Sequence, residues 1–262
     1  MFDRDTLLSH LHREGDRLLG SKILDKIEMV LERKQEQYTD FLNPYQRQIA
    51  CGLIEQINDI NYLEAGGYRK AERKRLVIFP DFLFPDHVDK NICIIQIQGN
   101  FNFQNLSHSD FLGALMGLGI KRKKVGDILV LEEFAQAIIA GELRNSIFRD
   151  LSQVHEVPVE VTEIGEDDIV IPAENTREIK ATVASMRLDA VASAGFGDSR
   201  NKISREIKNE KVKLNWKPET DPAQTVDIED LISIRNRGRV EVVEKRGLSH
   251  RGRIKLLLKR YT

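Results

Sequence analysis

Residues 187–216 read RLDAVASAGFGDSRNKISREIKNEKVKLNW, and this stretch decides how the chain is understood. Its pattern predicts two short helices, over about 187–194 and 199–209, and then a strand over KVKLN. Ser199 suits a helix N-cap, where its hydroxyl can accept from a first-turn amide. Ile203 and Ile207 stand four apart and share the face that meets a core. At about 100° per residue, Arg200, Arg205 and Lys208 fall in an arc of roughly 140° on the opposite side. Guanidinium groups grip phosphate with paired N–H donors and lysines add point charges, so that face suits a phosphate backbone. On an arbitrary helix such a face is more often merely solvated. Asp189 reads as a structural residue that positions or pairs with Arg187, not as a catalytic acid.

The charge around this stretch separates it from the rest of the chain. The net charge is −1, yet residues 184–262 carry 18 Lys and Arg against 11 Asp and Glu, and the remaining 183 residues carry 22 against 30. A basic carboxyl-terminal module joined to acidic domains points to nucleic acid as the leading partner. RNRGR at 235–239 places arginines at alternate positions, which an extended chain would project from one side. Gly238 there permits a tight turn or close backbone approach, and a polar edge strand guarded against aggregation is the other reading. Lys245, Arg246, Arg251, Arg253 and Lys255 extend the positive field.

RLD at 187–189, SR at 199–200, EIKNEKVKLN at 206–215 and DLISIRNRGR at 230–239 together resemble the S4-type RNA-binding domain. The resemblance implies RNA contacts from Arg187, Ser199, Arg200, Lys202, Arg205, Lys208, Lys211, Lys213, Asn215, Trp216, Arg235, Arg237, Gly238, Arg239, Arg251 and Arg253. The chain departs from the usual pattern at Glu210 and Trp216, where glycine is frequent, and at Ile203, which replaces an alanine. Trp216 can stack on an unpaired base, a contact worth about 1–3 kcal/mol, or cover apolar surface beside the strand. Both readings stand at this point.

Ahead of this module the pattern changes twice. Over residues 1–74, Leu7, Leu8, Leu11, Leu18, Leu19, Ile23, Leu24, Ile27, Val30 and Leu31 follow helical spacing, and Asn43-Pro44 matches an N-cap and first helical position. Residues 75–165 alternate short strands, RLVIF, ICIIQIQG, ILVLE, QAIIAG and PVEVTEI, with helical stretches at 109–120 and 142–154. That order predicts an RNA-recognition-like or ferredoxin-like α/β domain. Residues 166–183 read as a linker with a lead-in strand, and 184–262 as the S4-type domain. The fold class is therefore α+β: helical amino-terminal region, α/β middle, S4-type end.

TDFLNP at 39–44, GGYRKAERKR at 66–75 and LGALMGLGIKRKKVGDI at 112–128 extend the likeness to YlmH-type proteins. REIKATVASMRLDAVASAGFGDSR and the pair Asn215-Trp216 are similar to a cyanobacterial and plastid branch, the photosystem II S4 domain proteins. The resemblance implies a non-enzymatic RNA-binding factor that grips structured ribosomal or transfer RNA. It further implies a place on the large ribosomal subunit in translation quality control, with a thylakoid connection that no residue explains. Arg73 and Arg75 are expected as secondary RNA contacts. Lys121–Lys124 suit RNA or the carboxyl end of a helix equally.

Other classes are disfavoured. With 41% apolar and 31% charged residues, 7 Pro and 17 Gly, the chain is neither collagen-like nor wholly disordered. Cys51 and Cys93 cannot make a disulfide framework, and His10, His12, His87, His108, His155 and His250 form no metal spacing with them, so no metal or cofactor is expected. Gly113, Gly117 and Gly119 match neither nucleotide-loop pattern, and close helix packing is the expected reason for them. The middle region lacks the paired aromatics with which RNA-recognition folds stack bases, so protein contact or spacing is its expected role. No apolar run reaches the roughly 18 residues of a membrane span, and the amino end resembles no signal or transit peptide. A monomer in the cytoplasm, or in the chloroplast stroma, is expected. The competing functions are an RNA-modifying enzyme, for which neither a catalytic domain nor a cofactor loop is found, and a photosynthetic-membrane assembly factor whose basic face meets anionic lipid or protein.

Overall fold

The computed structural model describes residues 2–101, 104 and 106–261, and the chain divides into two compact units, Met1–Pro172 and Ala173–Thr262. The first unit begins with α1 (Arg4–Leu8), α2 (Glu14–Arg33), β1 (Gln37–Tyr38), α3 (Pro44–Ile54), β2 (Ile60–Ala65) and β3 (Arg75–Pro80). The apolar stripe of α2 buries Ile23, Leu24, Ile27 and Val30. α3 starts where Asn43-Pro44 directs it: the Asn43 side chain accepts from the Gln46 amide and Gln46 returns the bond, with Pro44 in the first turn. These helices share one core with Leu76 and Ile78 of β3.

Two features differ from the sequence reading. INYLEA forms β2 inside the stretch expected to be helical; only its ends, Ile60 and Ala65, are buried, so neither helical nor strand periodicity stands out. RLVIF is β3, which pairs antiparallel with β1 and β2 in a three-stranded sheet, and so belongs with the amino-terminal helices rather than with the middle sheet.

The rest of this unit is β4 (Ile92–Gly99), α4 (His108–Gly117), β5 (Val125–Val130), β6 (Phe134–Ala140), α5 (Arg144–Asp150), β7 (Gln153–Val154) and β8 (Val157–Glu163). Its sheet runs β5-β6-β4-β8-β7, antiparallel throughout. With the short β7 set aside, this is a βαββαβ chain in ferredoxin-like order. Cys93, Ile95, Ile97, Ala135, Ala137 and Ile139 turn one face toward Phe111 and Leu115 of α4 and Ile147 of α5. The glycines of α4 do not serve helix packing, contrary to expectation: a Cβ at Gly113 or Gly117 would meet nothing within 4 Å. Gly119, at φ +81°, follows the end of the helix where a left-handed residue is needed.

The second unit holds β9 (Thr176–Val183), α6 (Leu188–Phe196), α7 (Arg200–Lys208), β10 (Val212–Leu214), β11 (Lys217–Pro218), β12 (Leu231–Ile234), β13 (Gly238–Leu248) and β14 (Ile254–Tyr261). They build a six-stranded antiparallel sheet, β11-β10-β12-β13-β14-β9, with β9 at one edge. α6 and α7 close over it, bringing Leu188, Val191, Phe196, Ile203 and Ile207 into a core with Val212, Ile232, Val240, Leu256 and Leu258.

Candidate nucleic-acid interface

α7 begins as its sequence requires: the Ser199 hydroxyl accepts from the Lys202 amide at 3.3 Å, and Ile203 and Ile207 are fully buried. Arg200, Arg205 and Lys208 are exposed on the other side. Beside them Asp189, only 4% exposed at the start of α6, collects two arginines. Arg187 donates to its two oxygens at 3.2 Å each, and Arg200 donates to both at 2.9 Å. Burial alone would raise the Asp189 carboxyl, but the hydrogen bonds from Arg187 and Arg200 outweigh it and hold the group below the usual carboxylate range. A buried anion thus holds two guanidinium groups that remain 42% and 49% exposed. The structural role expected of Asp189 is what the geometry shows.

Lys211 and Lys213 are exposed and, like Arg205 and Lys208, have no ion-pair partner among the described residues, whereas Lys202 pairs with Asp198 at 3.1 Å. Asn215 has a structural duty: it donates to Asp230 at 2.7 Å and accepts from the Leu231 amide at 2.9 Å. Asn215 and Trp216 form the turn between β10 and β11 at φ +49° and +64°, which explains why glycine suits the second position. Trp216 is half-buried there.

RNRGR is not an extended row. Residues 235–237 are a turn, with Asn236 at φ +63°, and β13 starts only at Gly238. Arg235 is exposed, but Arg237 points inward: it pairs with Asp198 and, at 3.0 Å, with Glu206, and its guanidinium lies over the Phe196 ring. Gly238, at φ +84°, comes so near the opposite strand that a Cβ would lie 2.6 Å from the Tyr261 carbonyl oxygen. Its task is the turn and this close approach. Arg239 is half-buried within β13, while Arg251 and Arg253 are exposed between β13 and β14. Sequence reasoning missed Asp198 and Glu206, the acids that claim Arg237 and Lys202.

The two secondary contacts expected in the first unit are structural. Arg75 is 2% exposed, donates to the carbonyls of Thr39 and Asn91, and pairs with Glu142 at 2.9 Å, which leaves no edge for RNA. Arg73 donates to the carbonyls of Val125 and Phe41, while Asp127 accepts from the Glu72 and Arg73 amides and the Tyr68 hydroxyl. GGYRKAERKR and the GD of GDI are therefore one latch. Lys123 and Lys124 pair with Asp40, and Lys124 also with Glu142, so local ion pairs rather than a helix end account for them.

The second face of the middle sheet, the one an RNA-recognition fold uses for bases, is covered by this chain. Ile94, Ile138 and Ala140 pack under Phe41, with Tyr68, Ile164 and Ile169 beside them. Gln136, 1% exposed, donates to the Asp168 carbonyl and accepts from the Val170 amide. Among the described residues no group of three His, Cys, Asp or Glu could hold a metal ion, and no helix is long and apolar enough to cross a membrane.

Comparison with known proteins agrees with this layout. Three family models match in order: "YlmH, N-terminal" over residues 18–83, "Putative RNA-binding domain in YlmH" over 85–168, and "S4 domain" over 186–232. A Bacillus subtilis protein named ribosome-associated protein quality control protein P2 is 32% identical over 248 residues, covering 95% of this chain and 96% of that one. The solved structure titled cell division protein ylmH from Streptococcus pneumoniae matches with a TM-score of 0.53 at 28% identity, over 60% of this chain and 96% of its own.

Proposed function

The chain belongs to the YlmH family, and on that premise we propose that it is a non-catalytic RNA-binding factor of the large ribosomal subunit, acting in translation quality control. The observation that carries the reading is the cationic face of the second unit. Arg187 and Arg200, oriented on the buried Asp189, stand with the exposed Arg205 and Lys208 in the unit that matches the S4 domain. Cations held in place by a buried anion suit a phosphate backbone of set shape, so recognition rests on RNA shape and charge rather than base sequence. Lys211, Lys213, Arg235, Arg251 and Arg253 widen the contact, and Trp216 stacks on an unpaired base at its edge. Ser199, Asn215, Arg237 and Gly238 hold the surface in shape, and Lys202 and Arg239 add to the RNA contact.

The covered sheet of the first unit supports a division of labour: RNA is gripped by the second unit, and the acidic first unit meets protein. The factor acts as a monomer in the cytoplasm, or in the stroma of a plastid. Its relative's name places that Bacillus protein with the ribosome, and the same association is proposed here. A native lysate resolved on sucrose gradients at low and high salt, with and without RNase, tests this. Co-migration with the large subunit, lost at high salt and after RNase, is expected. Migration with membranes that RNase leaves unchanged would refute the reading.

A further inference from the structure

The net positive charge of the second unit does not lie where the S4 family model matches. Residues 186–232 carry 8 Lys and Arg against 9 Asp and Glu, whereas residues 233–262 carry 10 against 2. Within the later segment Arg237 is turned inward and Lys259 pairs with Glu174. Five of the eight others gather on the distal half of the β13–β14 hairpin, at Lys245, Arg246, Arg251, Arg253 and Lys255, all exposed.

On its β13 side this half runs past the end of β12, while β14 stays paired with β9. β13 pairs with β12 only up to Glu241, and residues 243–248 are exposed along an edge held through β14 alone. Lys245, Arg251 and Lys255 have no ion-pair partner among the described residues, and Leu248 at the end of β13 is 63% exposed. Cations that guard a free edge against pairing would explain Lys245 and Arg246. They would not explain Arg251 in the turn, which has no strand neighbour to repel, or Arg253, which donates to the Thr182 carbonyl of β9 at 3.0 Å and stays exposed.

We propose that this hairpin half is the main phosphate-gripping arm of the protein, taking the backbone of structured RNA, while the α6–α7 face sets the position. The proposal rests on the RNA-binding reading and moves most of its electrostatic work outside the S4-matched segment. Each cation that neutralises a phosphate contributes about 0.7–0.9 to the slope of log affinity against log salt, so five give about 4. Between 50 and 200 mM salt that slope amounts to a difference of about 250-fold in affinity lost.

The test is fluorescence anisotropy of the full chain with labelled, unfractionated transfer RNA across that salt range. Four proteins are compared: the natural chain, an arm variant (Lys245→Gln, Arg246→Gln, Arg251→Gln, Arg253→Gln, Lys255→Gln), a face variant (Arg205→Gln, Lys208→Gln, Lys211→Gln) and Glu244→Gln. The arm variant is expected to lose the larger part of the slope. Glu244→Gln, which removes the acid paired with Arg246 at 2.7 Å, is expected to raise affinity at 50 mM salt without flattening the slope, a gain that misfolding cannot mimic. A natural slope in the arm variant, with the face variant flattened, overturns the arm and leaves the RNA reading intact. Failure of the natural chain to bind any RNA overturns both. Flotation with phosphatidylglycerol vesicles gives the remaining outcome: binding to vesicles that depends on the arm, with the RNA slope unchanged, makes it a lipid contact and overturns the proposal.

Discussion

Replacing Asp189 with Asn keeps the shape of the site and removes its charge. The carboxylate is 4% exposed, holds Arg187 and Arg200 through four contacts of 2.9–3.2 Å, and lies in the first turn of α6. Both arginines are about half exposed and can turn to water, so each pair contributes only about 0.5–1 kcal/mol rather than the larger figure for a buried pair. The favourable position at a helix amino terminus adds about 0.3–1 kcal/mol. The expected loss is about 2 kcal/mol, which for a unit of this size lowers the melting midpoint by about 10 °C. The single tryptophan, Trp216, lies in this unit, so its fluorescence reports the transition. The Asp189 carboxyl titrates below its ordinary value; its contribution is therefore present above about pH 4, the unfolded carboxylate range, and is lost as pH falls through the depressed folded value. The gap between the two proteins should close under acid. Both guanidinium groups remain in the variant, so the salt slope for transfer RNA should not fall. An unchanged midpoint near neutral pH, or a gap that persists under acid, would refute the anchoring role of Asp189.

Glu142→Gln should destabilise the first unit by about 2 kcal/mol, because Arg75 is buried against it. Burial works to raise the Glu142 carboxyl, yet hydrogen bonds from Lys124 and Arg75 push it down to about 2; the natural protein should lose this contribution between pH 4.5 and 2 in thermal melts, and the gap between it and the variant should close there. Arg237→Ala should cost about 2–3 kcal/mol by leaving Glu206 without its cation beside Asp198 and removing one of the two guanidinium groups over Phe196, while the salt slope for RNA changes by less than one; unchanged stability with a flattened slope would return Arg237 to the RNA contacts. Phe41→Ala should cost about 4 kcal/mol and speed amide exchange in β4 and β6, since the ring, 1% exposed, roofs the middle sheet. Trp216→Ala should weaken binding to oligouridine about tenfold, and an unchanged affinity would make the ring a cover for apolar surface.

The parts of the fold legible beforehand are those written in local spacing. Ile203 and Ile207 mark the buried side of α7, Ser199 marks its start, and Asn43, Pro44 and Gln46 open α3. The basic side of α7 followed from the same geometry. What escaped depends on partners far along the chain. Arg75 looks like any surface arginine until Glu142, 67 residues on, closes over it. Arg237 looks extended and free because its acids lie 39 and 31 residues earlier. Alternation in RNRGR imitates a strand, and the left-handed Asn236 and Gly238 turn it into a hairpin bend. The middle sheet displays a face without paired aromatics, yet nothing local says that Phe41 and the segment at 164–170 occupy it.

The central claim, that the cationic second unit brings this protein to ribosomal RNA, is tested most directly with purified large ribosomal subunits. Co-sedimentation of the natural chain should be strong at 50 mM salt and fall steeply by 200 mM, and a variant combining the arm and face substitutions should be lost at both. Binding of that variant equal to the natural chain, or no binding of the natural chain at low salt, would contradict the account.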